Sequence, residues 1–261
     1  MNTMNQITEK IRAAQALDFG IIFNEAIELF KKTWIQGFLL QLFTILVMIP
    51  LIIMVYVPLL GLIIAQQENN GFNEDAFSNF FAGMSVLYIA VVIVCVLVLG
   101  AVSIALNAGF FRIMKKLDHD EMVSTNDFFY YVKGKYLGKA FTLLIITLLL
   151  SAGSVLLCYL PLIYFFVPIS FFAAIFAFNP ELSASEIVSL SFKLGTKKWL
   201  IGFGLILISS LLSQIVGFIL CGVGTLFTAA FAYHPVYLIY KHVVGFNNTE
   251  LIDEIGTTPV E

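Results

Sequence analysis

Charge is what this chain has least of. Only 12% of its 261 residues are Asp, Glu, Lys or Arg, and the stretches Trp34–Ala65, Ala140–Phe178 and Trp199–Tyr240 contain none. A charged side chain near the bilayer centre costs about 2.5 kcal/mol or more on insertion scales, so uncharged runs of this length mark hydrocarbon as the solvent. Cysteine is scarce too. Cys95, Cys158 and Cys221 exclude a disulfide framework and a cysteine-ligated metal site. Cys158 and Cys221 fall at two expected turns on one face, which leaves open either a bridge between them or two small buried hydrophobes. With three histidines and no H-E-x-x-H, G-x-S-x-G or glycine-rich phosphate loop, no catalytic centre is expected, and no cofactor. His119, in Asp118-His119-Asp120-Glu121, lacks spaced partners and reads as a solvated loop, not a metal site. No ionisable Asp, Glu, Lys or Arg falls inside a span, which removes the usual coupling group of an active transporter. Met1–Lys32 has no apolar core of signal-peptide type.

What is present is hydrophobic: 60% of residues, with a mean hydropathy of +0.95. About 20 residues cross a hydrocarbon core about 30 Å thick, so two of the uncharged runs are too long for one helix. Ala140–Phe178 must turn near Cys158, Tyr159, Leu160 and Pro161, and Trp199–Tyr240 near Cys221, Gly222, Val223 and Gly224. Trp34–Ala65, interrupted by Pro50 and Pro58, and Val86–Phe111 supply the other two spans. The expected fold is all-α and polytopic, with six transmembrane helices in three hairpins, each entered through an amphipathic interfacial helix. Residues 1–244 form one integral membrane domain, with units 18–111, 124–179 and 183–244, and residues 245–261 form an acidic cytoplasmic tail.

Under this assignment all 14 Lys and Arg fall on one side, and the opposite segment Gln66–Ser85 carries Glu68, Glu74 and Asp75 and no base. The positive-inside rule then places both termini in the cytoplasm. The net charge of -3 names no partner by itself. No nucleic-acid partner is expected.

The three units read as an internal repeat. Trp34-Ile35-Gln36-Gly37-Phe38 and Trp199-Leu200-Ile201-Gly202-Phe203 share W-x-x-G-F spacing after paired lysines. Phe19, Ile22, Phe23, Ala26, Ile27 and Phe30 form a helical apolar stripe before the first hairpin. Ser183 with Glu186, and Ser124 with Asp127, are capping boxes for the equivalent helices before the third and second. Lys31 and Lys32, Lys133 and Lys135, and Lys197 and Lys198 stand at the three entries, as candidate contacts for anionic lipid headgroups. Small residues at four-residue spacing, Ser209, Ser213, Gly217 and Cys221, and Ala101, Ala105 and Gly109, allow close helix approach within the chain or between copies.

Asn179-Pro180-Glu181-Leu182-Ser183-Ala184-Ser185-Glu186, continued by Ser189, Ser191, Gly195, Lys198 and Trp199 and joined by Pro235 and Tyr237, resembles six-span bacterial membrane proteins related to the membrane domain of glycerophosphoryl diester phosphodiesterases. The resemblance implies a multi-pass protein of a bacterial inner membrane. It implies no hydrolase, because no soluble phosphodiesterase domain accompanies the spans in these residues.

Asn107, Asn179 and His234 place polar groups at similar depth on the even-numbered spans. Their convergence, with Tyr233 and Tyr237 as donors, would make a pocket facing the cytoplasm. The alternative is separate satisfaction of each group. The expected function is a non-enzymatic membrane scaffold or accessory protein that organises lipid, a membrane protein partner or further copies of itself; a carrier or channel for a small or lipidic substrate is the alternative.

Overall fold

The computed structural model describes residues 3–68, 78–80 and 82–246. These residues are all-helical, with no strand among them. The helices are α1 (Met4–Ala13), α2 (Phe19–Glu68), α3 (Val86–Asp118), α4 (Gly134–Leu156), α5 (Leu160–Phe178), α6 (Ala184–Lys197), α7 (Trp199–Ile219), α8 (Gly224–Thr228) and α9 (Tyr233–Val243), with 3-10 turns at Thr125–Asp127 and Ala229–Ala232. Five of them, α2, α3, α4, α5 and α7, are long and apolar enough to cross a membrane. The acidic tail lies, from Asn247 onward, outside the described residues, as do Glu74 and Asp75.

The entry helices depart from the expected repeat. No separate interfacial helix precedes the first span: α2 runs unbroken for 50 residues. At about 1.5 Å per residue it is about 75 Å long, more than twice the hydrocarbon thickness. Pro50 and Pro58 do not interrupt it. Pro58 lacks the N–H that would bond the Met54 carbonyl, and the Tyr88 hydroxyl of α3 donates to that oxygen instead, at 2.5 Å. Before the second hairpin the Ser124–Asp127 capping box forms, but it caps only one 3-10 turn. Tyr131 then buries against Phe176, its hydroxyl donating to Ala177 O, which ends the segment before a helix can grow. Before the third hairpin the Ser183–Glu186 box does start a true helix, α6. Its apolar face is not free for a headgroup layer, because Ile187, Leu190 and Leu194 are buried within the protein. Phe192 meets Phe165 and Phe172, and Gly195 sits so close to Pro168 that a Cβ would lie 2.7 Å from its Cα. Thus α6 folds back along α5.

The N-terminal helix α1 adds a second cover. Thr3 and Gln6 close its capping box, and Ile7 and Ile11, one turn apart, are buried where it packs on α6. This start signal and the Ile7/Ile11 pair are legible in the sequence, although no helix was expected before Phe19.

Both expected turns occur. The chain leaves helix at Leu157–Tyr159 and at Leu220–Val223, and Cys158, Tyr159, Cys221 and Gly222 take positive φ there. Cys158 and Cys221 are exposed and unpaired. The small-residue ridge on α7 is used inside the chain: Ser213 donates to Thr228 O at 2.7 Å, Thr228 donates back to Ser213 O at 3.0 Å, and a Cβ on Gly217 would overlap Thr225.

The last expected span is not one helix. It is broken into α8, a 3-10 turn and α9. Pro235 cannot supply an N–H to Phe231 O, and His234 Nδ1 instead faces Phe231 O at 3.3 Å and Ala230 O at 3.1 Å. A side chain thus replaces the missing backbone donor.

This segment is the centre of the fold. His234, Val236, Tyr237, Leu238, Ile239 and Tyr240 are buried, and α9 packs on α2, α3, α5 and α7. Helix α5 packs on it at Phe178, whose ring lies tilted on Tyr240 at 4.8 Å, and a Cβ on Gly202 of α7 would meet both Val167 of α5 and Ile239 of α9. By contrast, the outer parts of α2, α3 and α7 leave a broad apolar flank exposed, including Ile53, Val57, Leu60, Val94, Leu211 and Ile215.

Candidate functional site

The polar groups singled out on the even-numbered spans meet at α9, but each takes its own partner. Asn107 of α3 hydrogen-bonds the Tyr233 side chain. Asn179, just past α5, donates to the Tyr240 hydroxyl at 2.8 Å and to Ile175 O at 3.2 Å. His234 turns the other way, its Nε2 standing 2.6 Å from the Thr33 hydroxyl of α2. Tyr237 points elsewhere again and donates to Asp118 at 2.7 Å. The expected pocket of Asn107, Asn179, His234, Tyr233 and Tyr237 is therefore a series of separate pairs spread along and around one helix. The physical reason is the helical period: successive residues of α9 face different neighbours, and each neighbour supplies one polar group.

The Thr33 and His234 pair fixes a tautomer. Two carbonyl oxygens face Nδ1, so Nδ1 carries a proton and donates. In the neutral ring Nε2 is then an acceptor, and the Thr33 hydroxyl supplies its proton there. The same hydroxyl also lies 3.0 Å from Leu29 O. Thr33 and His234 are both 0% exposed, so this bond joins α2 to α9 without water.

Asp118 is the ionic counterpart. It receives the Tyr237 hydroxyl and, at 2.6 Å, the Lys241 ammonium, tying the end of α3 to two turns of α9. A second cluster holds the α3–α4 connection: Lys116 reaches Asp127 at 2.9 Å, Arg112 lies 3.7 Å from the same carboxylate, and the guanidinium stands 3.9 Å over the Tyr130 ring. Burial raises the pKa of Asp127, but Lys116, the Ser124 N–H and Arg112 outweigh it and hold the carboxyl below its ordinary value. The first cluster carries no sequence motif, since Asp118 meets residues more than a hundred positions away, whereas the second is local and is built on the Ser124–Asp127 capping box.

The candidate headgroup lysines divide into three kinds. Lys31, Lys32 and Lys135 are exposed and paired with Glu28, Asp120 and Glu181. Lys133 lies over the Tyr130 ring, and Lys197 is exposed in a groove between α1 and α6. Lys198 does not fit the assignment. It is buried, with its ammonium on the Gln15 carbonyl, and burial followed by the neighbouring Lys197 lowers its pKa from the ordinary amine value. The turn between α1 and α2 covers it.

Among the described residues no group of three or more His, Cys, Asp and Glu is placed to hold a metal ion. His119 instead faces Lys115 O and the Phe246 ring. Comparison of the chain with protein-family models, with curated proteins and with solved structures gives no match.

Proposed function

We propose that this chain is a non-enzymatic integral membrane scaffold or accessory protein that organises lipid or a partner membrane protein. The observation that carries the reading is the contrast between paired polar groups at the centre and an apolar flank. The polar groups of α9 are consumed by Thr33, Asn107, Asp118 and Asn179, while α2, α3 and α7 turn bare hydrocarbon outward. A carrier needs groups free to change partners; here those at the centre act as joints.

In this reading the membrane is crossed six times, in hairpins α2–α3, α4–α5 and α7 with Gly224–Val243, and the last crossing is made in broken form. Both termini lie in the cytoplasm. The resemblance to the membrane domain of glycerophosphoryl diester phosphodiesterases supports placing this protein in a bacterial inner membrane. The broken segment is the feature that favours a carrier or channel as the second reading, since interrupted helices line substrate paths in transporters. Against it, the carbonyls freed by Pro58 and Pro235 already have donors in Tyr88 and His234.

Purification in native lipid followed by mass spectrometry tests the proposal, and a stoichiometric lipid or membrane protein is expected to accompany the chain. Saturable solute flux in vesicles holding only this protein would overturn it in favour of a carrier.

A further inference from the structure

A groove of about 540 Å³ opens where α1 and the last turns of α6 meet the first part of α5. Three bases line it: Arg12 from α1, and Lys193 and Lys197 from α6. No carboxylate is among its lining residues. The ordinary use of these charges would be ion pairing, and the protein does pair its other bases, Lys32, Lys116, Lys135 and Lys241 among them. Arg12 and Lys197 have no carboxylate partner among the described residues. Lys193 reaches only a hydroxyl, Thr8 Oγ1, at 3.2 Å across the α1–α6 contact.

The rest of the groove suits an amphiphile. Thr196 and Tyr164, joined by a 2.5 Å hydroxyl contact, offer neutral hydrogen-bonding groups beside the bases. Ile11 and Phe192 make the apolar part of the wall. Leu200, in the first turn of α7 just after Lys197, is 80% exposed, so an apolar chain leaving the groove past Lys197 would meet uncovered hydrocarbon. Trp199 borders this side, its Nε1 donating at 3.1 Å to Tyr164 O, the carbonyl that Pro168 leaves without its helical N–H. The floor and rim are therefore held by packing, not by the bases themselves.

We propose that this groove binds the anionic phosphate headgroup of a membrane lipid, with Arg12, Lys193 and Lys197 on the phosphate oxygens and the acyl chains along the Leu200 side. The site rests on the membrane-scaffold reading and gives it a lipid class. Guanidinium and ammonium groups together match a phosphodiester well, the first by paired donors and the second as a point charge. The bases also stand near helix C-termini, where positive charge offsets the carbonyl end of the dipole; that role needs no ligand and is the rival explanation.

The test uses the full chain in detergent micelles titrated with phosphatidylglycerol, with bound lipid counted by native mass spectrometry. Replacing Arg12, Lys193 and Lys197 together by Gln is expected to weaken lipid retention at least about tenfold, since each base near an anionic surface contributes. Lys31→Gln with Lys32→Gln should leave retention unchanged, and Arg12→Lys with Lys193→Arg and Lys197→Arg should restore most of it. The three bases are exposed, so helix content by circular dichroism should hold in every variant. Unchanged retention with a lowered melting temperature would assign the bases to the helix dipoles and overturn the site, leaving the scaffold reading intact. Displacement of the lipid by inorganic phosphate at equal concentration would also overturn it, by making the ligand a free anion.

Discussion

The Tyr88 hydroxyl donates at 2.5 Å to the carbonyl of Met54, the oxygen whose helical partner is removed by Pro58. Trp199 Nε1 does the same for Tyr164 O beneath Pro168, and His234 Nδ1 for Phe231 O beneath Pro235. In each case an unpaired carbonyl in apolar surroundings finds a ring or phenol donor from a position the backbone could not supply. These donors explain why prolines are tolerated in three different helical segments.

Removing such a donor should cost stability only while the proline is present. Tyr88→Phe is expected to destabilise the protein by about 1–3 kcal/mol, because it strands a part-buried acceptor in an apolar helix. In a Pro58→Ala background residue 58 regains its N–H, and the same change should cost a few tenths. A double-mutant cycle on thermal melting in detergent checks this, and additive effects would refute the link.

The buried joint between α2 and α9 is a second test. Thr33→Val keeps the shape but leaves His234 Nε2 without its hydroxyl, at an expected cost of about 1–3 kcal/mol. Thr33→Ser retains the proton donor and should lose much less. Equal melting temperatures for the Val and Ser variants would show that the 2.6 Å contact carries no energy.

Asp118 should matter more than its charged partner. Asp118→Ala strips the acceptor from Tyr237, whose ring is buried, whereas Lys241→Ala removes a group whose side chain is 35% exposed and well solvated. Chemical denaturation should rank Asp118→Ala clearly above Lys241→Ala, and Tyr237→Phe should abolish most of that difference.

Asp127 predicts an acid-side dependence. Its carboxyl is held below the ordinary 3.8, so its contribution is present above that value and is lost as pH falls through the lower, folded value. The melting temperature should therefore fall below about pH 4 more steeply in the wild type than in Asp127→Asn. Parallel profiles would mean that the Lys116 and Arg112 contacts are not maintained in solution.

Two natural cysteines report on the crossings. Cys158 and Cys221 are both exposed at turns, and Met122, 95% exposed, follows α3 at its other end. In intact cells a membrane-impermeant maleimide should label Cys158 and Cys221 but not a cysteine placed at Met122 in a chain lacking the natural three. Labelling of Met122→Cys together with Cys158 would reject the six-crossing arrangement.

Glycine packing gives a stability contrast within one protein. A Cβ at Gly109 would stand 2.4 Å from the Phe128 carbonyl oxygen, whereas a Cβ at Gly138 would meet nothing within 4 Å beyond its own helix backbone. Gly109→Ala should destabilise by about 1–3 kcal/mol, since backbone must move, and Gly138→Ala should stabilise by about 0.5–1 kcal/mol through helix propensity. Melting shifts of the same sign would contradict the close approach.

By itself the sequence determined the apolar runs long enough to span a membrane, the helical class, both reversals and one helix start, at Ser183, with a 3-10 turn at Ser124. Uncharged runs, glycine and proline at Pro161 and Gly222, and the boxes at Ser124 and Ser183 act over a few residues, so no distant partner is needed to read them. It did not determine what those elements pack on. The Ser183 box starts α6, yet only the fold decides that Gly195 meets Pro168 and that Phe192 meets Phe165, turning an expected surface helix into the cover of α5. The same holds for Asn107, Asn179 and His234. Their polarity was legible at once, but whether they meet depends on how the faces of α9 are shared among α2, α3 and α5, a property of several helices together. Hydropathy is additive along a chain and can be summed from residues; a hydrogen bond between Thr33 and His234 depends on two distant backbones arriving in one geometry, and only tertiary packing supplies that.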